Sequence, residues 1–165
     1  STYDIPPIIW HLRKFHPKFI SKIELGKGIP SVSFNLRHGG SVLIDRKKPK
    51  LALNQIKAFG KRLYKKNHSA VIFPEGTRSK NGKPKKFQKS GLLCLFETMP
   101  EAVVVPISVG NSWKFGTHNY FPMPLGVKLH LTVHGPHQID HENPLDFIER
   151  LEKEIHQEVT KKQLN

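Results

Sequence analysis

Polar and apolar positions alternate along Lys18-Phe19-Ile20-Ser21, the two-residue period of a strand, with Lys22 at its end. Ser41 to Ile44 and the run Val71-Ile72-Phe73 read as two further short, buried strands. Pro74, which has no N–H to donate, stops the second of them. Leu51, Leu53, Ile56, Phe59, Leu63 and Tyr64 recur at near-helical spacing, with Lys57, Lys61, Arg62, Lys65 and Lys66 elsewhere around the wheel. That pattern predicts an amphipathic crossover helix. Asp4, closely followed by Pro6 and Pro7 and then by apolar positions to Leu12, predicts a short helix. Ser31 to Arg37 predicts another, between a loop marked by Gly26, Gly28 and Pro30 and the pair Gly39-Gly40. Ser90 to Thr98 resumes helical spacing, and Ala102 to Val109 is the most strand-like run in the chain. Strands alternating with helices over residues 18 to 109 predict an α/β fold, a mostly parallel central sheet flanked by helices.

The pattern loosens after residue 110. Residues 111 to 126 hold Trp113, Phe115, Tyr120, Phe121 and Met123 without a clear period, which predicts a loop whose aromatics pack over the sheet. Val127, Leu129, Leu131 and Val133 alternate with polar residues as a half-exposed strand near the sheet edge. Asn143 as N-cap, Pro144 at the first helical position and Asp146 at N3 open a last helix with a core stripe of Ile148, Leu151, Ile155 and Val159. On its surface Glu149 with Lys153 and Glu158 with Lys162 are spaced as ion pairs. No internal repeat or low-complexity tract appears, so residues 1 to 165 read as a single domain.

Composition changes the picture mainly through charge. With 165 residues and 37% hydrophobic content the chain can bury a sizeable core, and 27 Lys and Arg against 13 Asp and Glu leave a formal charge of +14. Such an excess calls for an anionic partner: nucleic acid, lipid head groups or a phosphate-bearing substrate. Against nucleic acid, there are no C-x-x-C zinc pairs and no aromatic sheet motif for RNA. The single Cys94, within Leu92-Leu93-Cys94-Leu95-Phe96, reads as a buried structural thiol and fits a reducing compartment. No apolar run approaches the ~18 to 20 residues of a membrane span. His130, His134, His137 and His141 invite a metal reading, but the first two would stand ~13 Å apart on a strand, and Gly135, Pro136 and Pro144 break up the region of the others.

The candidate chemistry lies where the strands end. Glu75-Gly76-Thr77-Arg78 follows Pro74: Gly76 allows close backbone approach, Thr77 offers a hydroxyl and an N–H, and Arg78 carries a fork suited to two phosphate oxygens. A polar turn after a buried strand is the alternative reading. Lys22, Arg46 and Arg78 each fall at or just beyond a strand end, where open α/β sheets place ligands. For Lys22 the alternative is a solvated charge, and for Arg46 an ion pair with Asp45 or another carboxylate. Five lysines, at 80, 83, 85, 86 and 89, and Phe87 fill the following loop, which is suited to phosphates of a lipid, of an acyl donor or of RNA.

Phe73-Pro74-Glu75-Gly76-Thr77-Arg78-Ser79 resembles the third signature block of the glycerolipid acyltransferases, the family of 1-acyl-glycerol-3-phosphate (lysophosphatidic acid) acyltransferases. Ser21 to Leu25 with Gly39 to Arg46 resembles the second block, and Val105-Pro106-Ile107 the fourth. Ser1-Thr2-Tyr3-Asp4 resembles the end of the first, a histidine, four residues, then an aspartate; that histidine would fall two positions before Ser1. The chain is accordingly read as an N-terminally truncated acyltransferase domain, itself with little or no transferase activity.

The resemblance implies a glycerol-phosphate-acyltransferase-like fold and transfer of a fatty acyl group from acyl carrier protein or coenzyme A to the hydroxyl of 1-acyl-glycerol-3-phosphate, giving phosphatidic acid in phospholipid synthesis. Asp4 would be the surviving half of a His-Asp dyad. Lys22, Arg46, Glu75, Gly76, Thr77 and Arg78 would bind substrate, with Glu75 orienting Arg78. No cofactor, metal or nucleic acid is implied. The expected setting is the cytoplasmic face of a membrane, peripheral or anchored by a segment before Ser1, where the aromatics of 111 to 126 could line an acyl chain or enter the interface. Glycerol-3-phosphate or another lyso-lipid is the alternative acceptor, and a basic non-catalytic lipid- or nucleic-acid-binding domain the alternative class.

Overall fold

Asp4 opens the first helix, α1 (Ile5–His11), and Pro6 sits in its first turn, where a missing N–H costs nothing. The computed structural model describes residues 4–27, 30–77, 79, 81–116 and 124–163. Strand β1 (Lys18–Lys22) follows, then a 3-10 helix at Ile23–Lys27, helix α2 (Pro30–His38) and strand β2 (Val42–Ile44). Helix α3 (Pro49–Lys66) crosses over to strand β3 (Ala70–Ile72). The three strands form a parallel sheet in the order β2-β1-β3, with Lys22 opposite Ile44 and Ile20 opposite Ile72.

Alternation on these strands separates two cores. Ile20, Ile44 and Ile72 turn to one face, where they pack with Ile56, Phe59 and Leu63 of α3 and with Cys94 and Leu95 of helix α4 (Lys89–Thr98). Phe19, Leu43 and Val71 turn to the other and meet Ile5 and Ile8 of α1 and Leu36 of α2. A sheet covered on both faces is the arrangement that parallel strands require. The buried stripe of α3 differs from the one its large residues suggest: Leu51 and Tyr64 are exposed, and Ala52 and Gly60 lie inside. Gly60 is needed there because the Thr98 hydroxyl of α4 occupies the space a Cβ would take.

The run expected as one strand over Ala102 to Val109 is two, β4 (Val103–Val104) and β5 (Ile107–Gly110). Pro106 breaks it, since it cannot donate, while its carbonyl accepts from the His134 N–H. Both pieces pair antiparallel, β5 with β6 (His130–Val133) and β4 with β7 (His137–Gln138), so the parallel sheet does not extend through them. The strand predicted from Val127 begins only at His130. Trp113 and Phe115 lie in a 3-10 helix, half-buried; Tyr120, Phe121 and Met123 fall outside the described residues.

Helix α5 (Pro144–Gln163) closes the domain. Phe147, Ile148 and Leu151 pack on Leu92 and Phe96 of α4 and on Phe87. Glu158 pairs with Lys162 at 3.7 Å, but Glu149 reaches Lys89 at 2.6 Å instead of Lys153. Of the histidines considered for a metal, His134 gives Nδ1 to one oxygen of Glu154 (3.1 Å) and Nε2 to the Ser108 hydroxyl (2.7 Å). His137 Nε2 meets the other Glu154 oxygen at 2.9 Å. His141 meets the Pro100 carbonyl at 2.8 Å. No group of three metal-ligating side chains occurs among the described residues.

Candidate active site

Because β1, β2 and β3 run parallel, Lys22, Asp45-Arg46 and the segment from Phe73 to Thr77 all leave the sheet at its C-terminal edge. Lys22 is half-buried there. Asp45 does not serve Arg46. Its carboxylate accepts the Lys47 N–H at 2.9 Å and its carbonyl the Lys48 N–H at 3.1 Å, a turn that carries the chain into α3. The acid that acts on Arg46 is Glu24, although burial has the larger effect and lowers the guanidinium below its ordinary value.

Arg46 and the third block meet at Gly76. Gly76 has φ +72°, and a Cβ there would stand 3.3 Å from Arg46 Nη1 and 3.2 Å from Gln88 Cγ. The left-handed conformation and the close guanidinium both call for glycine. The turn consumes its own donors: Gly76 N–H bonds the Phe73 carbonyl at 3.2 Å and Thr77 N–H the Glu75 carbonyl at 2.8 Å. The N–H expected from Thr77 for an anion is therefore engaged, while its hydroxyl accepts from Lys85 Nζ at 2.9 Å.

Lys85 and Gln88 are members of this site that the sequence does not single out. Lys85 appears there as one of five loop lysines, and its contact spans eight residues with no periodic element between. The loop is held in place by Gln88 N–H on the Pro74 carbonyl (2.7 Å) and Phe87 N–H on the Glu152 carboxylate (2.8 Å). Glu75 is partly buried, and desolvation pushes its carboxyl above the ordinary range. The Lys85 N–H and the nearby His156 and Lys85 charges oppose that shift without cancelling it.

Asp4 is buried, 2% exposed, and its side chain does not cap the helix it precedes. Helix α1 packs through Ile5 and Ile8 in the same cluster as Phe73, the residue that leads into the Gly76 turn. Arg78 lies outside the described residues. A groove of about 960 Å³ between the lysine loop and α5 has walls of both signs, Lys86, Lys89 and Lys153 against Glu149 and Glu152, and makes a poor anion cradle.

The family profile described as Acyltransferase matches residues 1–110. The 1-acyl-sn-glycerol-3-phosphate acyltransferase of Helicobacter pylori (strain J99) is 36% identical over 109 residues, 64% of this chain and 45% of that protein. The coconut (Cocos nucifera) protein of the same name is 36% identical over 86 residues, 52% of this chain and 28% of its own length. The crystal structure of the 1-acyl-sn-glycerophosphate (LPA) acyltransferase PlsC from Thermotoga maritima superposes with a TM-score of 0.61 at 26% identity, covering 91% of this chain and 58% of that one. The chain thus spans less than half the length of these two curated relatives. The matched profile covers the sheet, its crossover helices and the Gly76 turn, and the chain belongs to the Acyltransferase family.

Proposed function

We propose that this chain supplies the acceptor site of a 1-acyl-glycerol-3-phosphate O-acyltransferase, the enzyme that converts lysophosphatidate to phosphatidate in phospholipid synthesis. The observation that carries the reading is the contact of Arg46 with Gly76, which joins the two cation-bearing motifs on one sheet edge beside Lys22. The names of the relatives support the same acceptor.

An alcohol attacks a thioester only if its proton is removed as the bond forms. In a protein that carries the family's histidine two positions before Ser1, that neutral imidazole would take the hydroxyl proton, and the Asp4 carboxylate would fix its tautomer and stabilise the imidazolium. The alkoxide oxygen adds to the thioester carbonyl, and the tetrahedral intermediate collapses by expelling the thiolate of coenzyme A or acyl carrier protein, which takes up the proton. Lys22, Arg46 and Arg78, with the Thr77 hydroxyl and Lys85, hold the acceptor phosphate and so place its hydroxyl. Glu75 is assigned to orienting these cations, since a bare carboxylate repels phosphate. Among the described residues no helix is long and apolar enough to cross a membrane, and a +14 chain is suited to an anionic lipid surface on the cytoplasmic side.

The test is an acyl-transfer assay on the protein extended upstream to include the histidine, with lysophosphatidate and glycerol-3-phosphate as acceptors. Arg46→Ala should raise the KM for lysophosphatidate by roughly 10- to 100-fold, the worth of one charged hydrogen bond to phosphate, with a smaller change in kcat. An unchanged KM would remove Arg46 from the acceptor site.

A further inference from the structure

The opposite edge of the parallel sheet holds a second concentration of positive charge that the proposed acyl transfer does not use. A cavity of about 240 Å³ is lined by Lys18, His38, Gly39, Gly40, Arg62, Leu63, Lys66 and His68. Four parts of the chain meet there: the start of β1, the α2–β2 loop, the end of α3 and the loop before β3. Lys18 and Lys22 stand at opposite ends of the same five-residue strand. Four steps of a strand separate their backbones by ~13 Å, which puts Lys18 at the start of β1 and Lys22 at its C-terminal end.

The pocket is built. Gly40 is left-handed at φ +83°, and a Cβ on it would stand 3.7 Å from Cδ and Cε of Lys18, so the lysine stem runs along the glycine. Arg62 Nη2 donates to the Gly40 carbonyl at 2.7 Å while its guanidinium lies 5.5 Å from the Phe59 ring centroid. The His68 ring lies 4.9 Å from that of His16, and its backbone N–H bonds the Leu63 carbonyl at 3.0 Å. Among the described residues no carboxylate lines the cavity. Burial, the largest cause, holds the His68 imidazole below its ordinary value, and the neighbouring His16, Lys18 and Lys66 push it the same way.

Neutralising helix ends accounts for only part of this charge. Helices α2 and α3 both terminate near the pocket, and each C-terminus carries roughly half a negative charge. Together they offset about one of the three permanent charges on Lys18, Arg62 and Lys66. Cations crowded around a cavity without a counter-charge are the arrangement an anion stabilises.

We propose that this pocket is a second anion-binding site that takes a phosphate group, separate from the acceptor site at the other edge of the sheet. The ligand chemistry is that of inorganic phosphate or of the head group of a phosphatidate-type lipid. Lys18 and Lys66 supply charge, and Arg62 and His68 supply oriented N–H donors.

The experiment follows the His68 side-chain NMR resonances, with their apparent pKa, at fixed ionic strength. The probes are inorganic phosphate, and vesicles of phosphatidylcholine with or without phosphatidate. A bound anion raises the His68 pKa, so a saturable upward shift is expected with one of the two probes. The Lys18→Gln/Lys66→Gln double variant should weaken it at least about tenfold, whereas the corresponding double Arg variant retains it. Response to free phosphate identifies a soluble ligand; response only to phosphatidate vesicles identifies the lipid head group. No response to either probe, or one undiminished in the double Gln variant, overturns the proposal. Acyl transfer is a separate readout, because neither lysine lies at the acceptor edge.

Discussion

Gly76 is the residue on which the proposed acceptor site turns. Its φ of +72° costs a substituted residue roughly 1–2 kcal/mol, and the Cβ would press on Arg46 Nη1 at 3.3 Å. Gly76→Ala should therefore lower stability by about that amount and displace the guanidinium, raising the acceptor KM; denaturation and steady-state kinetics check the two effects separately. Glu75 makes the opposite prediction for stability. Its carboxyl is raised in the folded protein, so the native state holds the proton more tightly than the unfolded chain. The penalty for its ionisation is absent below the unfolded pKa and grows as pH rises from there through the folded value. Glu75→Gln should melt above the parent at neutral pH and converge with it in acid, while losing acceptor affinity if the carboxylate orients the cations. A midpoint difference independent of pH would contradict the cause assigned to the shift. The strand-end positions of Lys22 and Arg46 were legible in the sequence, because a strand period and its stop signal are local. The partners were not: Arg46 meets Gly76 across thirty positions, and nothing local distinguishes Lys85 from its neighbouring lysines.

At the scale of elements, α5 is fastened to the antiparallel ladder by a polar chain, Ser108 to His134 to Glu154 to His137. The order imitates a nucleophilic triad, but Ser108 is 3% exposed and its hydroxyl also donates to the Ile155 carbonyl on α5 at 3.4 Å. Its role here is to join helix to strand. His134→Ala would leave the buried Ser108 hydroxyl only its long bond to the Ile155 carbonyl and remove one of the carboxylate's two partners, costing on the order of 1–3 kcal/mol in chemical denaturation. His134→Gln, which can still bond the serine, should recover part of that. Gly60→Ala tests the other helix contact, since the added methyl meets the Thr98 hydroxyl on α4 and overpacking costs about 1–3 kcal/mol. Helices were readable from periodicity to within a residue or two at α1, α3, α4 and α5. The high β-propensity of Ala102 to Val109 masks the break that Pro106 makes within it, and the antiparallel partners of its two halves are settled by tertiary pairing.

Across the whole molecule, cationic side chains gather at both ends of one parallel sheet, and a buried Asp4 immediately precedes the helix that shares a core with Phe73. With a charge of +14, adsorption to vesicles containing anionic lipid should fall steeply as salt rises, which sedimentation with vesicles measures directly. Pocket depth and acceptor identity belong to packing around the sheet edge and are not encoded in any short run of residues. The central claim is that Asp4 and the sheet-edge cations act together in transferring an acyl group to a phosphate-bearing acceptor. The measurement is kcat and KM for lysophosphatidate in the histidine-containing protein and its Asp4→Asn variant, with an acyl thioester donor. The account predicts a fall in kcat of roughly 10²- to 10⁴-fold with acceptor KM little changed, because Asn leaves the phosphate site whole but cannot hold the imidazole in its working form. Undiminished kcat in a folded Asp4→Asn protein would contradict it.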